Sequence, residues 1–491
     1  MDFFYFLSLF FSLKKIKMFE HFKEQNFFSP KTLRVHHLKN ARILPPRARI
    51  FPKENQAPWA GGVFDEHFQF VGGVSRFDWH LNKPPAWGDC AGTYPTLKKE
   101  WQTLKLDAIF GGIILGQFGH FLVESLARFW WIAQNPQDFR PIILLKGEGW
   151  WKNPQAGGGG GANLKSTQFV EDFLNLLNID SSRLIWLDKP SIVEHLSMAE
   201  ESVHSFTSFT KEHCALLDKI AQNAAKMHEN APKIPKIYLT YSKAAGNAQC
   251  LNENLFEEFF QSQGYTVIAP ETLPIAQQIA LMANAQEVAT TLGTTAHLTM
   301  FCAPKTQLIA LLRVLEANIP QLLIQQMRTL NWHWVNVSYN FLPTHPTFGV
   351  RNLHFSEDFK QLAHQLWGEQ ALNTIGHLSQ REKTENYLNA WLELHAQPGN
   401  FKSYLNQTSA FDFLNQMSQT LNGKTLNHQD FIKPRLPFFK RIKRALLIQM
   451  RGQIKKMLRA ILPFCVVFFL YDQIRQNKML ARICGIEFQK N

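Results

Sequence analysis

Three stretches of the chain carry side chains whose types and spacing can do chemistry. The first, GQFGHFLVESLARFWW at residues 116–131, sets His120, Glu124 and Arg128 four apart in an otherwise apolar, aromatic run. On a helix, positions i, i+4 and i+8 share one face. Two readings follow from that spacing. The three groups can form an ion-paired stripe at a domain boundary, each satisfying the next. Alternatively, they face a cleft, with His120 and Glu124 as an acid–base pair and Arg128 anchoring an anion, since histidine exchanges protons near neutral pH. A His–x3–Glu spacing is also half of a metal site, but no second His–carboxylate pair follows, so no metal is expected.

The second stretch is TTLGTTAHLTMF, residues 290–301. A strand is predicted to end at Gly293, with Thr294, Thr295 and His297 opening a helix. Unpaired N–H groups and the positive end of a helix dipole take anions, and a glycine lets a phosphate approach the backbone. The same pattern fits a plain strand–helix turn with threonine as N-cap. Neither GxGxxG nor GxxxxGK[ST] occurs, so a dinucleotide-binding fingerprint and a P-loop are both unsupported. The third stretch, YLTYSKAAGNAQCLNE at 238–253, runs from a strand into a loop bearing Lys243, Asn247, Asn252 and Glu253. It faces a ligand in a two-domain cleft, or it is a solvated loop in which Asn252 caps the next helix.

The elements that must position these residues alternate along the chain. Predicted strands are 107–113, 141–147 and 183–189, with helices at 119–134, 166–177 and 210–228. After PKIPK the pattern restarts. Strands at 236–242, 265–270, 287–293 and 306–313 alternate with helices at 252–263, 274–285 and 294–302. Such alternation argues for parallel sheets covered on both faces. We therefore expect an α/β chain of two Rossmann-like domains hinged near 230–235, with ligands at the carboxyl ends of the strands. The expected division is a leader at 1–44, an N-terminal α/β domain at 45–232 and a C-terminal α/β domain at 233–345. A mixed helical extension at 346–430 and a basic tail at 431–491 follow. The run of five glycines at 157–161 reads as a surface loop.

With 491 residues, 45% hydrophobic and 19% charged, the composition is that of an ordinary globular protein of two or three domains. The net charge of +13 is concentrated, because ten Lys or Arg and no Asp or Glu lie between Lys433 and Arg459. Six scattered cysteines without a CxxC pair suggest reduced thiols in a cytosolic setting. Phe3–Leu13 is apolar, but it is too short to span a bilayer and has its basic cluster on the wrong side for a signal peptide.

GGIILGQFGHFLVESLARFWW resembles a motif of glycosyltransferase family 61, in its bacterial capsular-polysaccharide branch. KIYLTYS, LNE, GYTVIAPETLPIAQQI, NAQEVATTLG and MFCAP continue the resemblance in order, over roughly residues 60–315. The resemblance implies a GT-B-type fold and sugar transfer from a nucleotide-sugar donor, with inversion, no cofactor and no essential metal. It puts His120 and Glu124 in the N-domain motif, on the acceptor side. Gly293, Thr294, Thr295, His297, Glu271 and Gln278 fall where the family's donor motifs lie, with Lys243 nearby. Arg128 is either an anion anchor or structural. Three positions depart from the family: Tyr241 stands where Arg is frequent, Leu292 where His is, and Leu298 where Asn is. Two functions stay open. One is a glycosyltransferase building a capsular-type glycan, with His120 or Glu124 as base. The other is a non-catalytic scaffold that binds nucleotide sugar or glycan.

In the tail, Ile442, Leu446, Met450, Ile454 and Leu458 recur at helical spacing among basic residues, ahead of an apolar run at 461–471. Residues 433–471 thus read as an amphipathic segment on an anionic membrane surface, or as a basic face packed on the protein. A nucleic-acid partner is not expected, since no basic, aromatic-studded sheet accompanies the tail. The expected location is cytoplasmic, peripheral on the inner face of the membrane, where a glycan or lipid-linked acceptor is met.

Overall fold

The computed structural model describes residues 25–48, 59–73, 90–147, 168–204, 207–230, 232–243, 250–313, 318–339, 350–383, 387 and 390. The leader segment Phe3–Leu13, the glycine run 157–161 and the basic tail lie outside the described residues.

The first half builds a seven-stranded sheet. Its strands are β1 (Val35–Ala48), β2 (Trp59–Phe64), β3 (Phe70–Gly72), β4 (Gln102–Ile114), β5 (Ile142–Lys146), β6 (Leu184–Leu187) and β7 (Ser191–Ala199). The order across the sheet is β3-β2-β1-β7-β4-β5-β6. β7, β4, β5 and β6 are parallel, whereas β1, β2 and β3 join antiparallel. The expected parallel sheet is therefore only part of a mixed one. In β1, Pro45 and Pro46 lack the N–H a ladder needs, and the pairing with β2 slips between Leu44 and Arg47. β4 alternates half-buried and exposed residues at its start and is wholly buried from Ala108 onward. That inner end is the segment with neighbours on both faces.

A two-stranded ribbon of β8 (Val203–His204) and β9 (Ser208–Phe209) leads into the second half. There the strands are β10 (Lys236–Leu239), β11 (Cys250–Leu251), β12 (Thr266–Ile268), β13 (Glu287–Thr291), β14 (Gln307–Leu312), β15 (Asn331–Asn336) and β16 (Arg351–Asn352). β12-β10-β13-β14-β15 form a parallel five-stranded sheet, and β11 pairs with β16. Ile237, Val288, Leu308 and Trp332 stand in register across four of its strands.

In chain order the helices are α1 (Phe118–Val123), α2 (Phe129–Gln134), α3 (Gln168–Leu176), α4 (Lys211–Met227), α5 (Glu253–Ser262), α6 (Ile275–Asn284), α7 (Ile319–Met327), α8 (Glu357–Trp367) and α9 (Glu369–Ser379). Two expectations change in detail. The single helix at 119–134 is broken at Glu124, which has φ −135° and ψ −49°, and continues as a 3-10 turn through Ser125–Arg128 before α2. Ser125 Oγ accepts the Leu115 N–H at 2.9 Å, which ties this break to the end of β4. The segment Thr294–Phe301 is a 3-10 helix, where an α-helix was expected.

The two halves share one core. α4 packs on α6, and a continuous apolar cluster takes residues from both sheets' helices. Phe173 joins the halves, lying 5.1 Å from Phe121 and 6.0 Å from Phe301 between ring centroids. The segment between α4 and β10, where the hinge was expected, is pinned: Pro235 O accepts the Gln286 and Glu287 N–H groups at 2.8 and 2.9 Å. A second aromatic cluster of Phe256, Phe259, Phe355, Phe359 and Trp367 packs α8 onto the outer face of the second half.

Candidate active site

β4 ends at Ile114 and the chain turns through Leu115–Gln117 into α1. Gln117 is the N-cap, and its Oε1 accepts the His120 N–H at 2.8 Å. One turn on, His120 Nδ1 meets Glu124 Oε1 at 2.6 Å. A carboxylate only accepts, so Nδ1 carries the proton toward Glu124. The side chain of Glu124 is 5% exposed and that of His120 is 25% exposed. The carboxylate is thus the more buried partner of the pair and the imidazole the more exposed one.

The interrupted helix carries Arg128 off this face. Its guanidinium donates to Ala199 O, to Gly73 O at 2.9 Å and to Glu201 Oε1 at 3.1 Å. Burial lowers its pKa against the opposing pull of Glu201 and Glu200. Arg128 is buried, and the partners named for its guanidinium are protein groups away from the His120–Glu124 pair.

The Gly293 turn comes to α1 from the other half. Gln117 Nε2 donates to Thr294 Oγ1 at 3.1 Å, and a Cβ on Gly119 would stand 2.9 Å from that same oxygen. Thr294 therefore joins the halves. His297, 8% exposed, lies within electrostatic reach of His120 and Glu124. Burial pushes its pKa down to about 4; Gln321 and Glu124 pull it up and His120 pushes it further down. It is neutral near pH 7. His120, Glu124, Thr294 and His297, from two distant motifs, are thus assembled at the carboxyl ends of β4 and β13.

The N–H of Thr295 is not open to an anion, because it donates to Tyr241 Oη at 2.8 Å. Above the Tyr241 ring lies Arg313, its Cζ 4.5 Å from the ring centroid. A Cβ on Gly293 would come within 2.4 Å of Arg313 Nη2 and 2.5 Å of Tyr241 Oη. Gly293 is thus required by the packing of these two side chains as much as by any ligand. Arg313 was missed in the sequence. It follows the apolar run of β14, and only the pairing of β14 with β13 brings it to the Gly293 turn. In the sequence its one signal is a cation at the carboxyl end of a strand.

Nearby, Glu253 is 3% exposed and accepts the Tyr238 hydroxyl at 2.7 Å. Burial raises its pKa to about 7, opposed by the Tyr238 hydrogen bond and by Arg313. Asn252 holds the N-cap position of α5, but its side chain does not cap: Nδ2 donates to Leu353 O at 2.9 Å and Asn352 Oδ1 at 3.1 Å. Other expected donor residues stand apart. Lys243 is exposed beyond β10, and Glu271 is exposed in the turn Pro270–Thr272, which follows the edge strand β12. Gln278 is buried, with its Nε2 on Leu273 O at 2.8 Å, so it braces the loop before α6. Asn247 lies outside the described residues. Among the described residues, no group of three or more His, Cys, Asp or Glu is placed to hold a metal ion.

An α/β chain with an oriented histidine and a nearby cation at its strand ends has the parts of a group transferase. Residues 118–309 match the model of the family described as Glycosyltransferase 61. The matched span opens at α1 and closes within β14, so it contains the His120–Glu124 pair and the Gly293 turn. Over that span the chain is similar to glycosyltransferases of this family, which makes the protein a glycosyltransferase, an enzyme that takes a nucleotide-sugar donor and an acceptor. No curated protein matches the chain.

Proposed function

We propose that this enzyme extends a capsular-type cell-surface glycan by inverting, metal-independent transfer, with its two α/β halves used in the GT-B manner. The observation that carries this reading is the 2.6 Å His120–Glu124 pair held against the Gly293 turn of the other half. An acceptor hydroxyl gives its proton to His120 Nε2, and Glu124 stabilises the imidazolium that results. The hydroxyl oxygen bonds to the anomeric carbon from the face opposite the diphosphate. The anomeric C–O bond breaks, and its electron pair leaves on the nucleoside diphosphate beside the Arg313 guanidinium. With Thr295 N–H held by Tyr241, Arg313 is the group we assign to the diphosphate.

The test is a transfer assay with UDP-, GDP-, CMP- and dTDP-sugars, preceded by a thermal-shift screen with the same donors. A ligand at a hundred times its Kd adds about 2.7 kcal/mol of stability. His120→Ala is expected to lower turnover by roughly 10²–10⁴-fold while keeping the donor's thermal shift. Full turnover in that variant overturns the assignment. Arg313→Met is expected to lose the thermal shift itself. The basic segment 433–471 is assigned to an anionic membrane surface on its composition. Deleting the chain from residue 433 is expected to release it from anionic vesicles, and retention would refute that part.

A further inference from the structure

His297 sits in a hydrogen-bond chain whose polarity is fixed at one end. Ala296 O can only accept, and it takes the Thr299 hydroxyl proton at 2.7 Å. Thr299 Oγ1 is then an acceptor for what lies beyond it, and Gln321 Nε2 donates there at 2.9 Å. The amide orientation follows, because the flipped amide would draw the hydroxyl proton away from Ala296 O. Gln321 Oε1 therefore faces His297 Nδ1, at 3.2 Å, and accepts from it. Gln321 is fully buried, and its backbone is held by the Asn318 side chain, which caps α7 and accepts the Gln321 N–H at 3.1 Å. Every element of this chain is set before a substrate arrives.

We infer that the Ala296–Thr299–Gln321 chain locks His297 with its proton on Nδ1, so that Nε2 is presented as a hydrogen-bond acceptor for a substrate hydroxyl beside the His120–Glu124 pair. The two nitrogens lie on opposite edges of the ring, so Nε2 is turned away from α7. The titratable groups acting on the ring are His120 and Glu124. Gln321 lies beyond the matched family span and acts only through His297; it is a positioning residue, and Thr299 orients it in turn. The inference rests on the transferase reading for the hydroxyl, but the lock itself does not.

The test separates the two. In the full chain labelled with ¹⁵N-histidine, with His297→Gln used to assign the ring, long-range ¹H–¹⁵N correlations report which nitrogen is protonated at pH 7. The wild type is expected to show Nδ1–H. Gln321→Leu is expected to move the proton to Nε2 and to lower kcat/KM with the best donor of the sugar panel about tenfold, the size of one misdirected hydrogen bond. Gln321→Glu keeps an acceptor toward Nδ1 and is expected to retain the proton on that nitrogen. Thr299→Val serves as a second probe should Gln321→Leu not fold, with a mixture of tautomers expected. A wild-type ring protonated at Nε2, or a Gln321→Leu ring still protonated at Nδ1, overturns the lock. A switched tautomer with unchanged kcat/KM overturns the hydroxyl contact. If the wild type transfers no sugar from any donor of the panel, the NMR arm still decides the lock, while the transferase reading and the hydroxyl contact fall.

Discussion

Two buried charges argue opposite consequences from similar burial. Arg128 is matched by Glu201 and two carbonyls. Arg128→Met leaves that carboxylate without its cation and is expected to cost roughly 3–5 kcal/mol, read as a loss of midpoint in urea. Glu253 has a folded pKa of about 7, above its ordinary value near 4.5, because burial favours the neutral acid. The folded state therefore holds a proton that the unfolded state releases. Stability on this account is greatest below pH 4.5, declines as pH rises to 7, and is flat above. Glu253→Gln removes the titration. It is expected to stabilise the protein by about 3 kcal/mol at pH 8 relative to pH 4, seen as a flatter dependence of unfolding free energy on pH. At this scale the sequence was informative where the partner lay one helical turn away, as for His120 and Glu124. It was silent where the partner came from another strand, as for Arg313, or where a residue was turned into its own loop, as for Gln278.

The elements show why one helix was expected and three short ones form. The run Gly119–Gln134 has a helical period throughout, but the Ser125 hydroxyl binds Leu115 N–H, and the chain breaks at Glu124 to make that contact. Periodicity cannot report a bond to a residue in the preceding turn. The long β1 and the strand β7 were not anticipated, since VHHLKN and SIVEHLSMA mix polar and apolar residues without a clean alternation. Among elements, α1 meets the Gly293 turn of the other half through the Gln117–Thr294 bond. Gly119→Val would drive a branched side chain into Thr294, already 2.9 Å from the position of a Cβ. We expect loss of transfer together with a destabilisation of about 1–3 kcal/mol, measured by assay and thermal melt. The 3-10 form of Thr294–Phe301 also bears on binding. The Thr295 N–H is turned to Tyr241 and the Ala296 N–H to Gly293 O, and Arg313 lies over the same tyrosine.

For the molecule as a whole, the alternation of strands and helices was enough to read an α/β chain, and it located most strands of the second half to within a few residues. It did not reveal that the halves share a core, because the Phe121–Phe173–Phe301 contact joins segments far apart in sequence. A shared core predicts a single cooperative transition for the described halves, and two resolved calorimetric peaks would count against it. Burial also holds His297 and His213 neutral, with pKa values near 4 and 3, against about 6.5 when unfolded. Their contribution is present above pH 6.5 and is lost as pH falls toward 3, so acid unfolding is expected to steepen below pH 6 and to soften in His213→Phe.

The bond from Thr295 N–H to the Tyr241 phenol has one more consequence. The phenol is a tethered oxygen on a main-chain donor, so any ligand oxygen that approached this N–H would have to displace it. Tyr241→Phe is expected to uncover the main-chain donor and to tighten phosphate-bearing ligands, at the expense of the discrimination that an occupied donor imposes.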